Sequence, residues 1–269
     1  MFVHLHTHSQ FSFLDGGSEI ESLVRRAAEL DMPALALTDH DNLCGAVKFQ
    51  TAAAKAGIKA IQGVEVTLYN GHHLVLLAKG PEGYRSLCRL LTRAHLESTR
   101  REPRVTMPNL RENSYGLIAL SGCRRGEIPA AILARDYEKA RQIAQTYQEI
   151  WGEDFCLELQ DTFIPGTRGL NASLAELAAE LGLGIVATNN VHFAEPADFT
   201  VHDILTCVRT LTRVQDVHPE RPLNGEVYLK SSREMGELFR EYPAAIEAAW
   251  RIAEKCQPAL ELDKPLFPE

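Results

Sequence analysis

The 269-residue sequence lacks the features of a membrane, secreted or duplex-binding protein. No apolar run approaches the roughly 20 residues that span a bilayer, and the N-terminus MFVHLHTHSQ has no basic stretch followed by an apolar core. The six cysteines are scattered without a C-x-x-C pair, which argues against a disulfide framework. A net charge of -8 argues against a protein that mainly grips duplex nucleic acid. We therefore expect a soluble, cytoplasmic protein.

Short apolar runs rich in β-branched residues alternate along the chain with longer amphipathic runs. We predict buried strands over residues 2–7, 33–38, 60–68, 73–78, 116–120, 154–159 and 184–188. Asn70-Gly71 predicts a hairpin turn between the third and fourth of these. Repeated strand–helix units predict an α/β fold with a parallel sheet covered by helices. Because candidate ligands follow nearly every strand, a closed TIM-like barrel is favoured over an open sheet.

The predicted domain organisation has a boundary near residue 210. Residues 1–210 are expected to form the barrel with its site. Residues 211–269 contain prolines, a short predicted strand at 228–230 and two helical patterns. They are expected to form a C-terminal helical extension that packs on the barrel or links from it.

Three histidines alternate in the first predicted strand, at positions 4, 6 and 8. Side chains two residues apart on a strand point to the same face. His6 and His8 can therefore reach one space at the strand's carboxyl end, where two neutral imidazoles suit a transition metal. His4 faces the same way but lies deeper, so we leave it out of the ligand set. The alternative is an amphipathic strand with an exposed polar face.

Polar residues follow the second predicted strand as Thr38-Asp39-His40-Asp41, where barrel active sites are built. His40 is the candidate ligand of this group, and Asp39 is expected to orient its imidazole. Asp15 precedes Gly16-Gly17, and by itself it is typical of a turn.

Further candidates lie in or after the later strands. Glu65 sits within an apolar run, where a buried carboxylate without a cation is costly, so a metal-bridging role competes with an edge strand that faces water. One of His72 and His73 is expected to face inward. Cys123 follows a strand and a glycine, and it is either a thiolate ligand or inert. His192 lies just beyond the strand predicted at 184–188.

Half of the ten histidines fall at predicted strand ends or hairpin returns: His6, His8, His40, His73 and His192. Imidazole and carboxylate donors together suit Zn, Mn or Fe better than Mg or Ca. The donors outnumber the needs of one four-coordinate ion, which predicts two or three divalent ions. Such a site favours hydrolysis of phosphate esters. Arg124 and Arg125 are candidate phosphate contacts, with an ordinary solvated surface as the alternative.

These motifs resemble those of the PHP (polymerase and histidinol phosphatase) domain family. The resemblance rests on His6-Thr-His-Ser9, Thr38-Asp-His40, Gly63-Val-Glu65, His73 to Ala78 and Ala187 to His192. It is closest to the PHP domains at the N-terminus of bacterial DNA polymerase III alpha subunits. It implies a distorted seven-stranded (β/α) barrel with up to three metal ions. Family members act as phosphatases of small phosphate esters or, in some polymerases, as 3′–5′ exonucleases, and in others the domain is structural.

The resemblance also implies a set of nine ligands. Carried onto this chain, they are His6, His8, Asp15, His40, Glu65, His73, Cys123, Asn190 and His192. The chain departs from the pattern at one position, because the family has Asp where this chain has Asn190. An amide oxygen can coordinate but carries no charge, which predicts that one ion is weaker or missing. Among these residues, we assign catalytic roles to His6, His8, His40, Glu65 and His192.

Two functions remain open from the sequence. The first is a metal-dependent phosphoesterase that acts on a phosphorylated small molecule or a nucleic-acid 3′ end, which the intact histidines and Glu65 favour. The second is an inactive module that binds metal and supports polymerase domains or replication proteins, which Asn190 favours. The chain stops before any polymerase catalytic domain, so it is expected to be a separate PHP protein or a fragment of a longer polymerase. No membrane partner is expected.

Overall fold

The computed structural model describes residues 1–100 and 102–262. Within them, the fold is α/β, with one curled sheet of six strands that pair in sequence order. The strands are Ala34–Leu37 (β1), Lys59–Thr67 (β2), His73–Ala78 (β3), Leu117–Leu120 (β4), Phe155–Gln160 (β5) and Gly184–Thr188 (β6).

The sheet is mixed, so the prediction of a parallel sheet is wrong for its middle. β1 pairs with β2, β4 with β5 and β5 with β6 in parallel, whereas β3 is antiparallel to both of its neighbours. The predicted hairpin at Asn70-Gly71 is confirmed, and Gly71 has a φ of 84° in the left-handed region that glycine adopts without strain. A turn this short leaves no room for a crossover helix, so β3 must run antiparallel to β2.

The N-terminal segment lies beside β1, but among the described residues it forms no regular strand. Ala36 N donates to His4 O at 2.9 Å, and Thr38 N donates to Thr7 O at 2.8 Å. The two acceptors are three residues apart, whereas the two donors are two residues apart. The N-terminal segment therefore has one extra residue relative to β1, which interrupts the hydrogen-bond ladder between them as in a β-bulge. The prediction of a strand over residues 2–7 is wrong for this reason. Within this segment only Thr7 makes an isolated β-bridge, and its partner is Val191.

Helices connect the strands and cover the sheet. They span Ile20–Glu29 (α1), Ala46–Ala56 (α2), Pro81–Glu97 (α3), Met107–Glu112 (α4), Glu127–Leu133 (α5), Tyr137–Trp151 (α6), Thr167–Leu181 (α7), Phe199–Thr210 (α8), Ser232–Leu238 (α9) and Pro243–Lys255 (α10). α4 and α5 have only six and seven residues, about two helical turns each, so the sequence carries little periodic signal for them. No helix of the described residues is long and apolar enough to cross a membrane.

The C-terminal helices pack on the sheet rather than apart from it. Phe239 is 1% exposed, and α10 buries Ala245 and Ala249 in the same apolar cluster as Val186 of β6. Burying one such aromatic side chain contributes about 1.5–3 kcal/mol. The division into residues 1–210 and 211–269 stays a prediction, and residues 263–269 lie outside the described part.

Candidate metal centre

His6 and His8 project from the N-terminal segment, which the residues after β6 hold in place. Val191 N donates to His6 O at 3.0 Å, and His8 N donates to Val191 O at 2.7 Å. Alternate residues of an extended segment share a face, and both imidazoles are 0% exposed there. Their Nε2 atoms lie 3.1 Å apart. Two ring nitrogens that face each other need a proton or a cation between them.

Glu65 of β2 lies at the centre of the imidazoles. One oxygen, Oε1, is 3.4 Å from His6 Nε2 and 3.2 Å from His73 Nδ1. The other, Oε2, is 3.5 Å from His8 Nε2 and 3.0 Å from His40 Nε2. Glu65 is 1% exposed, so it does not lie on a strand edge that faces water. One buried carboxylate therefore joins histidines from three different parts of the fold.

The charges in this cluster depend on one another. Burial raises the pKa of Glu65, but the neighbouring His40, His73 and His6 outweigh it and hold this pKa well below its usual range. Burial lowers the pKa of His6, but Glu158 and Glu65 outweigh it and raise this pKa to about 10. The Glu65 carboxylate is therefore buried as an anion that requires nearby positive charge.

Asp15 and His192 form a second contact beside Glu65. Asp15 Oδ2 lies 3.1 Å from His192 Nε2 and 3.6 Å from His40 Nε2. Asn190 also reaches the cluster, with its Oδ1 3.2 Å from His8 Nε2. Its φ of 44° is in the left-handed region, which asparagine tolerates better than most residues. The structure thus brings together eight of the nine predicted ligands through contacts of 3.6 Å or less.

Cys123 is less closely tied to the others. It is buried, and its Sγ accepts from Arg125 N at 3.5 Å. Burial, together with the charge of Glu65, raises the pKa of the Cys123 thiol well above its usual range. Without a cation beside it, this side chain is a thiol rather than a thiolate.

The residues predicted to support the site take different positions. Asp39 is 1% exposed, and its carboxylate accepts from Ser9 N at 2.7 Å and from Ser12 Oγ at 2.8 Å. Ser12 Oγ also lies 2.9 Å from His8 Nδ1 and accepts from His40 N at 3.1 Å. Asp39 therefore reaches the imidazoles through Ser12, and it makes no direct hydrogen bond to the His40 ring within the described chain.

The two predicted phosphate contacts lie at the margin of the cluster. Arg124 Nη1 is 3.5 Å from Thr167 Oγ1, and the Arg125 side chain is exposed. Arg125 contributes through its backbone instead, since its carbonyl accepts from His73 N at 3.1 Å.

Three residues at the site were missed from the sequence. Glu158 lies 2.7 Å from His6 Nδ1, and its setting in an apolar strand is the same signal that identified Glu65. On α8, His202 Nδ1 donates to Asp15 O at 2.7 Å, and Arg209 Nη2 is 3.4 Å from Asp15 Oδ1. His202 and Arg209 are two helical turns apart, so both lie on one face of α8. Nothing in the sequence relates that face to Asp15.

The donor set fits divalent cations. Two groups could each hold an ion, with all ligand atoms of a group within 4.8 Å of one another: His6, His8 and Glu65, and His40, Glu65 and His73. Glu65 Oε1 and His73 Nδ1 are 3.2 Å apart, yet neither has a hydrogen-bond partner among the described residues. A buried polar atom without a partner costs about 1–3 kcal/mol. A cation bound between such atoms would remove that cost.

Comparison with known proteins shows which family the chain resembles. A family model described as "PHP domain" matches residues 4–162, more than half of the chain. The error-prone DNA polymerase of Symbiobacterium thermophilum is 50% identical over 284 residues, which cover 100% of this chain and 26% of that protein. The DNA polymerase III subunit alpha of Borreliella burgdorferi is 37% identical over 283 residues, which cover 100% of this chain and 25% of that protein. The chain thus spans about a quarter of the length of these curated relatives.

A solved structure also has a partly similar fold. An amidohydrolase from Chromobacterium violaceum with bound sulfate is 17% identical, with a TM-score of 0.45 over 71% of this chain and 88% of that chain. A likeness at this level carries no argument about function.

Proposed function

The chain belongs to the PHP domain family, and from that premise we propose that it is a metal-dependent phosphoesterase. Its proposed substrate is a small phosphate monoester or the terminal phosphodiester of a nucleic-acid 3′ end. The reaction in either case is hydrolysis of a P–O bond.

One observation carries this proposal: the buried carboxylate of Glu65 lies within 3.5 Å of a ring nitrogen of each of four histidines, His6, His8, His40 and His73. A carboxylate shared in this way suits a bridge between two cations. Burying it without cations would leave polar atoms unpaired.

We propose two or three divalent ions, Zn, Mn or Fe. Their proposed ligands are His6, His8, Asp15, His40, Glu65, His73, Cys123, Asn190 and His192. Bound divalent cations would polarise the phosphoryl group and supply a nucleophile at neutral pH. The catalytic roles are proposed for His6, His8, His40, Glu65 and His192.

Other side chains of this chain have supporting roles in the proposal. Asp39 holds Ser12, which in turn holds the imidazole of His8 and the backbone of His40. Arg209 is proposed as a phosphate contact in addition to Arg124 and Arg125. Its guanidinium already touches Asp15, and its Nε has no partner among the described residues.

A second candidate function is a metal-binding module that has lost catalysis and supports the polymerase domains of a longer protein. Asn190 favours it, because an amide at this position lacks the charge of a carboxylate. The similarity to polymerases over about a quarter of their length also favours it. In both candidates, we propose that residues 2–7, which form no regular strand, complete the barrel beside β1, and that residues 211–269 form an extension on the barrel.

The decisive experiment is a hydrolysis assay of the purified chain. It uses a chromogenic phosphate ester and a 3′-labelled single strand, each with Mn²⁺ or Zn²⁺, with and without a chelator. The control variant is Glu65→Gln, which keeps the size of the side chain and removes the charge. Metal content is measured by elemental analysis on the same samples.

Metal-dependent turnover that Glu65→Gln abolishes would support the phosphoesterase. Bound metal without turnover of either substrate would support the non-catalytic module. A wild-type chain that retains no divalent ion at all would contradict both.

A further inference from the structure

A second buried glutamate lies directly behind His6. Glu158 of β5 is 2% exposed, and its Oε1 lies 2.7 Å from His6 Nδ1. The opposite ring nitrogen, His6 Nε2, faces His8 and Glu65 at 3.1 and 3.4 Å. The imidazole is therefore held between two carboxylates, one on each side.

Neighbouring strands hold the Glu158 carboxylate. Thr188 Oγ1 of β6 donates to Glu158 Oε1, and Gln160 Nε2 donates to the same oxygen at 2.6 Å. The Glu158 backbone N–H donates to Ser121 Oγ, just after β4, at 2.8 Å. Two side-chain donors thus fix the Glu158 carboxylate, one from β6 and one from β5, while Ser121 fixes the Glu158 backbone, which leaves the side chain little freedom to rotate.

This arrangement selects one form of the His6 ring. A carboxylate oxygen can only accept, so His6 Nδ1 carries the proton and donates to Glu158. In the neutral ring, the lone pair is then on Nε2, directed at the Glu65 cluster. Metal-bound histidines commonly use such a carboxylate on the second nitrogen to fix ring orientation and to increase basicity.

We propose that Glu158 is a positioning residue that sets the tautomer and direction of His6 for metal binding. This inference rests on the proposed function, because it assumes that His6 binds an ion. Two other roles for Glu158 make different predictions. It could be a metal ligand itself through Oε2, which has no partner among the described residues, or it could stabilise only the fold.

The test measures metal affinity and the stability of the metal-free protein separately. Zn²⁺ is titrated into the purified chain in competition with a chromophoric chelator, which reports both affinity and the number of ions. Thermal unfolding of the metal-free protein is recorded in parallel. The variants are Glu158→Gln, which keeps side-chain size, and Thr188→Val, which removes one donor to the carboxylate. The control is Glu127→Gln, because Glu127 is a partly buried carboxylate that accepts from Tyr147 at 2.7 Å and from Asn70 at 2.8 Å, neither of which is a proposed ligand.

Glu158→Gln is expected to weaken Zn²⁺ binding by about 10–100-fold with an unchanged number of ions. Thr188→Val should give a smaller loss in the same direction, and Glu127→Gln should give none. If Glu158→Gln does not fold, Thr188→Val decides: weaker binding supports the proposal, and wild-type affinity overturns it.

Four results would overturn the inference. A variant that loses one ion outright would make Glu158 a ligand. A variant with a lower unfolding temperature but wild-type affinity would make its role structural. If the wild type binds no ion, the proposed function fails as well. If the wild type shows metal-dependent turnover and Glu158→Gln binds Zn²⁺ with wild-type affinity, only this inference is rejected.

Discussion

His40 and Glu65 meet because of the register between two parallel strands. β1 and β2 pair with Ala34 opposite Lys59 and Leu37 opposite Gln62, and the same offset continues to a bridge between His40 and Glu65. Their side chains, His40 Nε2 and Glu65 Oε2, are 3.0 Å apart. A one-residue slip of this pairing would turn one of the two side chains to the opposite face. The register of the sheet is thus part of the site.

Asn190→Asp is expected to increase metal binding and metal-dependent turnover. The change adds a negative charge 3.2 Å from His8, and even ~1.4 kcal/mol of extra attraction to a dication is a factor of about ten in affinity. Affinity is measured by chelator competition, and turnover with a chromogenic phosphate ester in Mn²⁺. Asn190→Ala is the matched control and should bind more weakly than wild type. Equal affinity in all three proteins would remove residue 190 from the ligand set.

Arg209→Gln is expected to lower kcat/KM for phosphate esters. A charge-assisted hydrogen bond contributes about 1.5–3 kcal/mol, so the loss should be roughly 10–100-fold. Steady-state kinetics measure it, with metal content checked because Arg209 also touches Asp15. Arg213→Gln is the control, since that side chain is 83% exposed and pairs only with Asp216 among the described residues. If kcat/KM is unchanged in Arg209→Gln but reduced in Arg125→Gln, the phosphate contact is Arg125, as the sequence suggested, and not Arg209.

Removal of divalent ions is expected to lower the unfolding temperature. An ion present at 100 times its dissociation constant stabilises the native state by about 2.7 kcal/mol, which for a domain of this size is about 5–10 °C. Thermal unfolding with and without a chelator measures the difference, and added Zn²⁺ should reverse it. In Glu65→Gln the difference should be small. Identical curves for the wild type in both conditions would contradict a bound ion.

Asp154→Asn is expected to loosen the attachment of α10. Asp154 pairs with Lys79 at 2.5 Å and with Lys255 at 3.0 Å, which joins the end of β3 to α10. Burial raises the pKa of Asp154, but the two lysines outweigh it and lower this pKa below its usual value. The ion pairs therefore stabilise the fold at neutral pH, and this contribution is lost as the pH falls through the lowered pKa.

At pH 7, Asp154→Asn should reduce the free energy of unfolding by about 1 kcal/mol. The difference from wild type should shrink as the pH falls below about 4, where the carboxyl of the unfolded chain becomes protonated, and should vanish once the pH passes the lowered pKa of the folded state. Urea unfolding across pH measures it. Glu247→Gln changes an exposed carboxylate on the same helix and should have no effect. A difference that persists at low pH would mean that charge is not the cause.

Local sequence signals predicted several elements well. The strands at His73–Ala78 and Gly184–Thr188 have the bounds expected from their apolar runs. The hairpin followed from Asn70-Gly71 alone. The prediction of an N-terminal strand over residues 2–7 was wrong, because its irregularity arises from pairing with β1. No local sequence pattern encodes that pairing.

The sequence by itself determined which chemistry is present and roughly where. Alternation put His6 and His8 on one face, strand ends marked His40 and His192, and an apolar run marked Glu65, because these patterns are properties of the local backbone. Only the tertiary structure decided which of these residues meet. Glu158 reaches His6 across 152 positions, and Arg209 reaches Asp15 across 194. Contacts at that separation depend on sheet register and helix docking, which are set by the packing of the whole core.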